Sequence, residues 1–273
     1  MIFENSYGDV SRLNFISESI ARNRSLSVLD IGCGTGQRLT AQLAERFPAT
    51  SFLGIDVDPA SIAFAAAEYR SLANLRFQRI EDLGASLRFD LIIASEVIEH
   101  VEDPAEFLRF LRLHAANDGK IIITLPNGYG PFELMALTEV LLNLSGLQAV
   151  VRRLKYALVG RQPNPPTADT LAVSPHVNFF SHRGLLRLFA EAGLAVGRER
   201  NRSILCGYII DDLLMSRRLI EWNAANADYL PRWCVSDWMF ELEAHEAPRS
   251  LKWRRNAWGR FRRALNLRRW GLS

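Results

Sequence analysis

The densest chemical signal in the chain is Val28-Leu29-Asp30-Ile31-Gly32-Cys33-Gly34-Thr35-Gly36. It joins a short apolar run, Leu26 to Ile31, to a helical pattern, Arg38 to Phe47, in which Leu39, Leu43 and Phe47 recur every fourth residue. Glycine admits left-handed backbone and lets a ligand approach the chain closely. Successive backbone N–H groups in such a turn can face a negative or polar ligand group. The spacing is Gly-x-Gly-x-Gly. The last glycine of a dinucleotide fingerprint would fall on Gln37, and no Gly-Lys-Ser/Thr follows, so nicotinamide or flavin dinucleotides and a phosphate loop are both disfavoured. Twenty residues beyond Gly36, a second apolar run ends on a carboxylate in Leu53-Gly54-Ile55-Asp56. Two carboxylate oxygens match two vicinal ribose hydroxyls. The competing role for Asp56, capping the helix that Pro59 opens, suits Asp58 better because it directly precedes the proline.

These residues need a frame that holds them side by side. An amphipathic stretch from Val10 to Ile20 comes first, with Val10, Leu13, Ile16 and Ile20 at helical spacing. Strands are then expected at Leu26–Ile31, Ser51–Asp56, Leu75–Ile80, Phe89–Ala94 and Gly119–Leu125, alternating with helices at Arg38–Phe47, Pro59–Tyr69 and Pro104–Ala115. After an interruption, a helix capped by Ser181 runs to Ala192, followed by strands at Leu194–Glu199 and Ile204–Ile210. This alternation predicts an α/β fold, a doubly wound, Rossmann-like, mostly parallel seven-stranded sheet with ligands at the carboxyl ends of its strands.

The two motifs resemble the first and second motifs of class I S-adenosylmethionine (SAM)-dependent methyltransferases. The run Phe89 to Val101 and the segment His176-Val177-Asn178-Phe179-Phe180-Ser181 resemble the ubiquinone-biosynthesis O-methyltransferase branch. The resemblance covers residues 25–127 well and 175–211 more loosely. It implies SAM as cofactor. Gly32, Cys33, Gly34 and Gly36 would cradle its methionine part, and Asp30 would orient that loop or contact the amine. Asp56 would hold the ribose, with Val57 beside it. Ile80, Glu81 and Asp82 would lie at the adenine; Arg79 stands where many relatives carry an acid, which points to a backbone-led contact there. Ser95 and Glu96 would lie near the sulfonium. Methyl transfer to a small-molecule or lipid-linked acceptor, at oxygen, is the expected activity; the lipid-linked option rests on the apolar insertion and the amphipathic tail.

A hydroxyl acceptor needs a base near neutral pH. His100, after the fourth strand at the mouth of the cleft, is the candidate, with Glu99 as an orienting or solvated acid; the alternative for His100 is a hydrogen-bonded histidine fixing the loop before Pro104. His176 and His182 are secondary candidates, for which capping and loop packing compete. No metal-ligand spacing is visible among the residues.

Composition is that of a globular chain, 48% hydrophobic and 23% charged. Three cysteines at wide spacing (Cys33, Cys206, Cys234) give no disulfide framework and suit a reducing compartment. The start lacks the pattern of a signal peptide, and the expected location is the cytoplasm. Residues 1–211 are expected to form the methyltransferase domain, with an insertion or lid over 129–175, and 212–273 a helical extension. Within the insertion, Leu134 to Val151 is apolar but too interrupted by Glu139, Asn143 and Gln148 for a membrane span. Its leucines could line an acceptor pocket, touch lipid, or pack as an extra helix pair. The tail Arg249–Ser273 carries nine basic and no acidic residues, leaving 24 basic against 30 acidic in the remainder. Interleaved with Trp253, Trp258, Phe261, Leu265 and Trp270, it fits an interfacial helix giving peripheral membrane contact, a nucleic-acid arm, or a helix laid on the acidic body. Two other readings of the chain follow: an RNA or protein methyltransferase using the tail, and a non-enzymatic scaffold of the same fold.

Overall fold

The computed structural model describes residues 6–151, 153, 174–206, 216–246 and 253–272. The Pro-rich loop up to 173, the outer part of the strand expected at 204–210, and residues 249–252 and 273 of the tail lie outside them.

Helix α1 (Ser6–Asn23) precedes β1 (Ser27–Ile31), α2 (Thr40–Arg46), β2 (Ser51–Asp56), α3 (Pro59–Glu68), β3 (Leu75–Arg79), β4 (Phe89–Ser95), α4 (Pro104–His114) and β5 (Ala115–Pro126). Then come α5 (Pro131–Leu144), α6 (His182–Glu191), β6 (Leu194–Asn201), α7 (Arg217–Ala225), β7 (Asp237–Ala244) and α8 (Ala257–Arg269). Asp58 and Asp103 each cap the helix that a following proline opens, by accepting from two backbone N–H groups. Ser181 caps α6 through Gly184 N–H.

The seven strands run in the order β3-β2-β1-β4-β5-β7-β6. Strands β1 to β5 pair in parallel, and β7 is antiparallel to both β5 and β6. Alternating side chains serve the two faces. Leu29, Ile92, Ile121 and Ile123 pack with Leu108 and Leu111 of α4 and Leu185, Leu188 and Phe189 of α6. Val28, Leu91, Ile93 and Ile122 pack on the other face with Phe15, Ile16 and Ile20 of α1 and Leu43 of α2.

The doubly wound architecture agrees with the sequence reading, with two corrections. Val10 is exposed, and the buried stripe of α1 is completed by Phe15. The seventh strand of the sheet is β7; of the strand expected at 204–210, residues 204–206 have no strand structure and 207–210 lie outside the described residues. The expected boundary at 211 therefore cuts a continuous sheet, and 212–273 is not wholly helical. Trp238-Met239-Phe240-Glu241-Leu242 is buried throughout. Its Glu241 reads as a solvated charge in sequence but accepts from Arg22 at 2.6 Å and lies 3.4 Å from Arg198. Among the described residues, no helix is long and apolar enough to cross a membrane.

Because β7 fills the gap between β5 and β6, Phe240→Ala is expected to cost about 3–5 kcal/mol, read as a lowered midpoint of urea unfolding. A loss under about 0.5 kcal/mol would place the strand outside the cooperative core.

Candidate active site

The strand order reverses between β1 and β4, and the glycine loop leaves β1 at that point. A crevice opens there outside the strand ends. Gly32, Gly34 and Gly36 have φ of 72°, 53° and 73°. A Cβ on Gly32 would stand 2.5 Å from Val97 Cγ2, and one on Gly36 2.7 Å from the Phe77 ring. The loop is tied to β2 by Gly32 and Cys33 N–H donating to Ile55 O at 2.8 and 3.1 Å. Asp56 closes the arrangement: Oδ2 accepts from Gly34 N–H at 2.8 Å and Oδ1 from Asp58 N–H at 2.9 Å.

A cavity of about 860 Å³ lies over this loop. That is in the upper part of the range of small-molecule sites, about 300–1,000 Å³. Asp30, Gly32, Cys33, Gly34, Asp56, Val57, Ile80, Ser95, Glu96 and His100 all line it. Gly36 shapes the loop from behind and is not in the wall. Of the three residues after β3, Ile80 alone lines the cavity; Glu81 and Asp82 are exposed on a short 3-10 turn, and Glu81 pairs with Arg79 at 2.5 Å.

Asp30 is buried and accepts from Thr40 Oγ1 at 2.6 Å. Burial pushes its carboxyl up to about 7, against the opposing Thr40 hydrogen bond and the Arg12 charge. Burial also pushes up the Cys33 thiol, so it is an uncharged filler of the turn. Arg12 was not legible in the sequence: it lies on α1, far from any motif. In the fold its buried guanidinium lines the cavity, donating to Ser95 Oγ at 3.0 Å and to Asp9 at 2.8 Å. Arg38 also lines the cavity.

Glu96 has a left-handed backbone, φ 57°, a strained conformation for a non-glycine residue. Its N–H donates to Thr124 O, and its carboxylate accepts from Thr124 Oγ1 at 2.8 Å and Arg202 at 3.1 Å. Burial opposes its charge, but Arg202 and Arg12 outweigh that and hold it below the usual carboxylate range. Arg202 in turn pairs with buried Asp237 of β7 at 2.9 Å.

Beyond Glu96 the structure gathers Glu99, His100 and His176. The His100 and His176 rings meet edge to face, centroids 4.7 Å apart. His100 Nδ1 lies 3.2 Å from Pro175 O. A carbonyl can only accept, so Nδ1 carries the hydrogen and Nε2 keeps its lone pair. Burial and the nearby His176 lower the His100 pKa to about 4. His176 Nδ1 donates to Glu133 of α5 at 2.6 Å; burial resists its charge, but Glu133 and the neighbouring carboxylates raise its pKa to about 9. Glu99 is buried, neither oxygen has a hydrogen-bond partner, and burial and Glu96 push its carboxyl up to about 8. Sequence reading treated Glu99 as orienting or solvated. The fold instead gives it, like Asp30, a proton affinity close to neutral pH. Glu99, His100 and His176 bring one ligand atom each within 4.8 Å of one another, and among the described residues they are the cluster that could hold a metal ion. His182 is not part of this group; its Nε2 pairs with Glu199 at 2.8 Å, and its ring packs on Trp238.

The strand order, the glycine loop and Asp56 at the switch point are those of a class I SAM-dependent methyltransferase. Residues 10–198 match the family described as methyltransferase domain, and the chain belongs to that family. It is 39% identical over 101 residues to a trans-aconitate 2-methyltransferase of Deinococcus radiodurans, covering 36% of this chain and 37% of that protein. It is 32% identical over 120 residues to a ubiquinone biosynthesis O-methyltransferase of Rickettsia felis, covering 42% and 49%. The chain thus matches half or less of the length of these curated relatives. Similar solved structures include PKMT2 from Rickettsia typhi (TM-score 0.57, 16% identity, 92% of this chain and 56% of that one). A SAM-dependent methyltransferase from Clostridium acetobutylicum gives TM-score 0.52 at 13% identity, covering 88% and 92%. At such identities these two show the fold alone.

Gly32→Ala combines a left-handed backbone with the Val97 contact. It is expected to cost about 1–3 kcal/mol, seen as a lower thermal midpoint; a neutral substitution would mean the loop relaxes freely.

Proposed function

We propose that the protein transfers a methyl group from SAM to a hydroxyl of a small-molecule or lipid-linked acceptor. One observation carries the reading. The left-handed glycine loop backbone, packed tightly against Val97 and Phe77, meets Asp56, Asp30 and Arg12, which come from three different elements, beside one cavity. The residues fit the cofactor. Asp56, with lone pairs to spare, would hold the ribose hydroxyls, Asp30 would meet the methionine ammonium, and Arg12 would meet the methionine carboxylate. When bound, SAM supplies an electrophilic methyl group. The protein's part is to align the acceptor and manage its proton. His100, neutral and with Nε2 free, accepts the acceptor's hydrogen bond. Glu99, 3.9 Å from His100 Nε2, is the site of higher proton affinity beside it.

The lipid-linked option draws on the surface. Leu134, Leu141 and Leu144 of α5 and Phe261 of α8 are exposed on two helices in contact. The tail itself lies on the body: Arg255 and Arg263 pair with Glu102, Arg262 with Glu133 and Arg269 with Glu139. A second reading of the proton step rests on the partnerless oxygens of Glu99. A divalent cation held by Glu99, His100 and His176 would lower the acceptor's pKa in place of a base. A screen of phenolic, sugar and lipid-linked acceptors with labelled SAM identifies the acceptor.

Asp30 supplies a test of the cofactor reading. In the free protein its carboxyl sits at about 7, and an ammonium partner favours the ionised form. Affinity for S-adenosylhomocysteine therefore rises with pH, about tenfold between pH 6 and pH 8, with release of a proton. Calorimetric titration should show this slope in the wild type and lose it in Asp30→Asn. Absence of binding at any pH would overturn the reading. His100→Ala is expected to lower kcat by about 10²–10⁴ with unchanged S-adenosylhomocysteine affinity. Wild-type turnover that survives exhaustive chelation leaves the base reading; turnover lost on chelation and restored by a divalent cation selects the other.

A further inference from the structure

Arg262 is a cost that stability alone does not explain. It lies on the inner face of α8 and is almost fully buried. One nitrogen, Nη2, donates to Glu133 Oε2 at 2.6 Å and to Glu133 O at 3.1 Å. Its Nε and Nη1 have no hydrogen-bond partner. The guanidinium lies 4.4 Å from the Phe179 ring centroid, which offsets part of the desolvation. An apolar side chain of similar volume would be at least as stabilising in such a place. A buried, half-satisfied charge therefore calls for a task.

The partner shows what the task is. Glu133, equally buried, turns its other oxygen to His176 Nδ1 at 2.6 Å. A row of contacts runs from Arg262 through Glu133 to His176, and from that ring to His100. The rest of the C-terminal segment grips the same two loops. Asn266 Nδ2 donates to His176 O at 2.9 Å. Trp253 Nε1 and Arg255 Nε donate to Asn178 Oδ1 at 3.2 and 2.9 Å. Asn178 Nδ2 then donates to Ile98 O at 3.2 Å and Val101 O at 2.6 Å, on either side of Glu99 and His100. The donors from the C-terminal segment all lie within residues 253–266, beyond the part of the chain that matches the family. Without Arg262, Glu133 would face a desolvated interior with His176 as its remaining polar contact, and the ring would lose a fixed acceptor.

We propose that Arg262 is a positioning residue: its charge holds the Glu133 carboxylate in place, Glu133 fixes the ring of His176, and the C-terminal helix is thereby a working part of the acceptor-activating cluster. The inference rests on the methyltransferase reading for its consequence in turnover, but its geometry is testable apart from it. In full-length protein labelled with ¹⁵N-histidine, the Nδ1–H of His176 is expected as a downfield imidazole resonance, told apart from those of His182 and His100 by its loss in His176→Gln. Arg262→Met removes or shifts it; Arg262→Lys, which keeps the charge, retains it. Arg262→Gln, with donors but no charge, replaces the Met variant should that one fail to fold. S-adenosylhomocysteine affinity stays within twofold in every folded variant, because the cradle is untouched. With an acceptor from the screen, kcat falls about ten- to hundredfold in Arg262→Met while KM holds, and Lys restores most of it. An unchanged resonance in Arg262→Met or Gln, its loss in Lys as well, or its absence from the wild type would each overturn the proposal. Failure of the wild type to bind S-adenosylhomocysteine would instead sink the methyltransferase reading and leave the resonance test standing.

Discussion

The Asp56 carboxylate is the clasp of the molecule. By accepting from Gly34 N–H on one oxygen and Asp58 N–H on the other, it fixes the loop after β1 against the turn after β2. The loop can take that path only because Gly32, Gly34 and Gly36 adopt left-handed backbone and leave no Cβ in the way. Everything on the cofactor side is measured from this clasp. The crevice between β1 and β4 is a consequence of strand order, but its floor is a consequence of those three glycines and one carboxylate.

On the acceptor side the organising force is buried charge rather than backbone shape. Arg202 lies between Glu96 and Asp237, and Glu133 lies between Arg262 and His176. Ion pairs of this kind seldom add much net stability, because desolvation cancels most of the attraction; breaking one by removing a partner is far more damaging. They fix position instead. Each ties a motif loop to an element late in the chain: Glu96 to β7 through Arg202 and Asp237, His176 to α8 through Glu133 and Arg262. The strained backbone at Glu96 persists because Thr124 and Arg202 hold its carboxylate while its N–H is bound to Thr124 O.

These charges also set the chemical character of the cluster. His100 is kept neutral by burial and by the neighbouring His176, while Glu99, without a hydrogen-bond donor, is driven toward the protonated acid. Two groups whose ordinary values differ by the usual margin between carboxylate and imidazole are thus inverted in proton affinity. The inversion needs no residue beyond those present; it needs them dry and close together.

Local signals were enough for the first half of the chain. Apolar runs of strand length, helices opened by Asp58-Pro59 and Asp103-Pro104, and the glycine spacing each act within a few residues, so the order of elements through β5, the cradle and Asp56 could be read in one dimension. Strand β7 could not, because Glu241 and Glu243 break its apolar run and their cations, Arg22 and Arg198 for the first and Lys120 for the second, come from distant elements. Nothing in the sequence marks Arg12, Glu99 or Arg262 as buried. All three are buried by the fold, and two of them bind partners far along the chain: Arg12 with Ser95, 83 residues away, and Arg262 with Glu133, 129 residues away. The basic tail is the sharpest case: composition left lipid and the protein's own body level, with nucleic acid behind them, and the fold lays it on Glu102, Glu133 and Glu139. Sequence determined what short-range sterics and periodicity determine, namely the sheet's first five strands and the glycine loop that follows the first of them. Which charges are buried, and hence which proton affinities shift, was decided by tertiary structure alone, since desolvation is a property of surroundings and not of a residue.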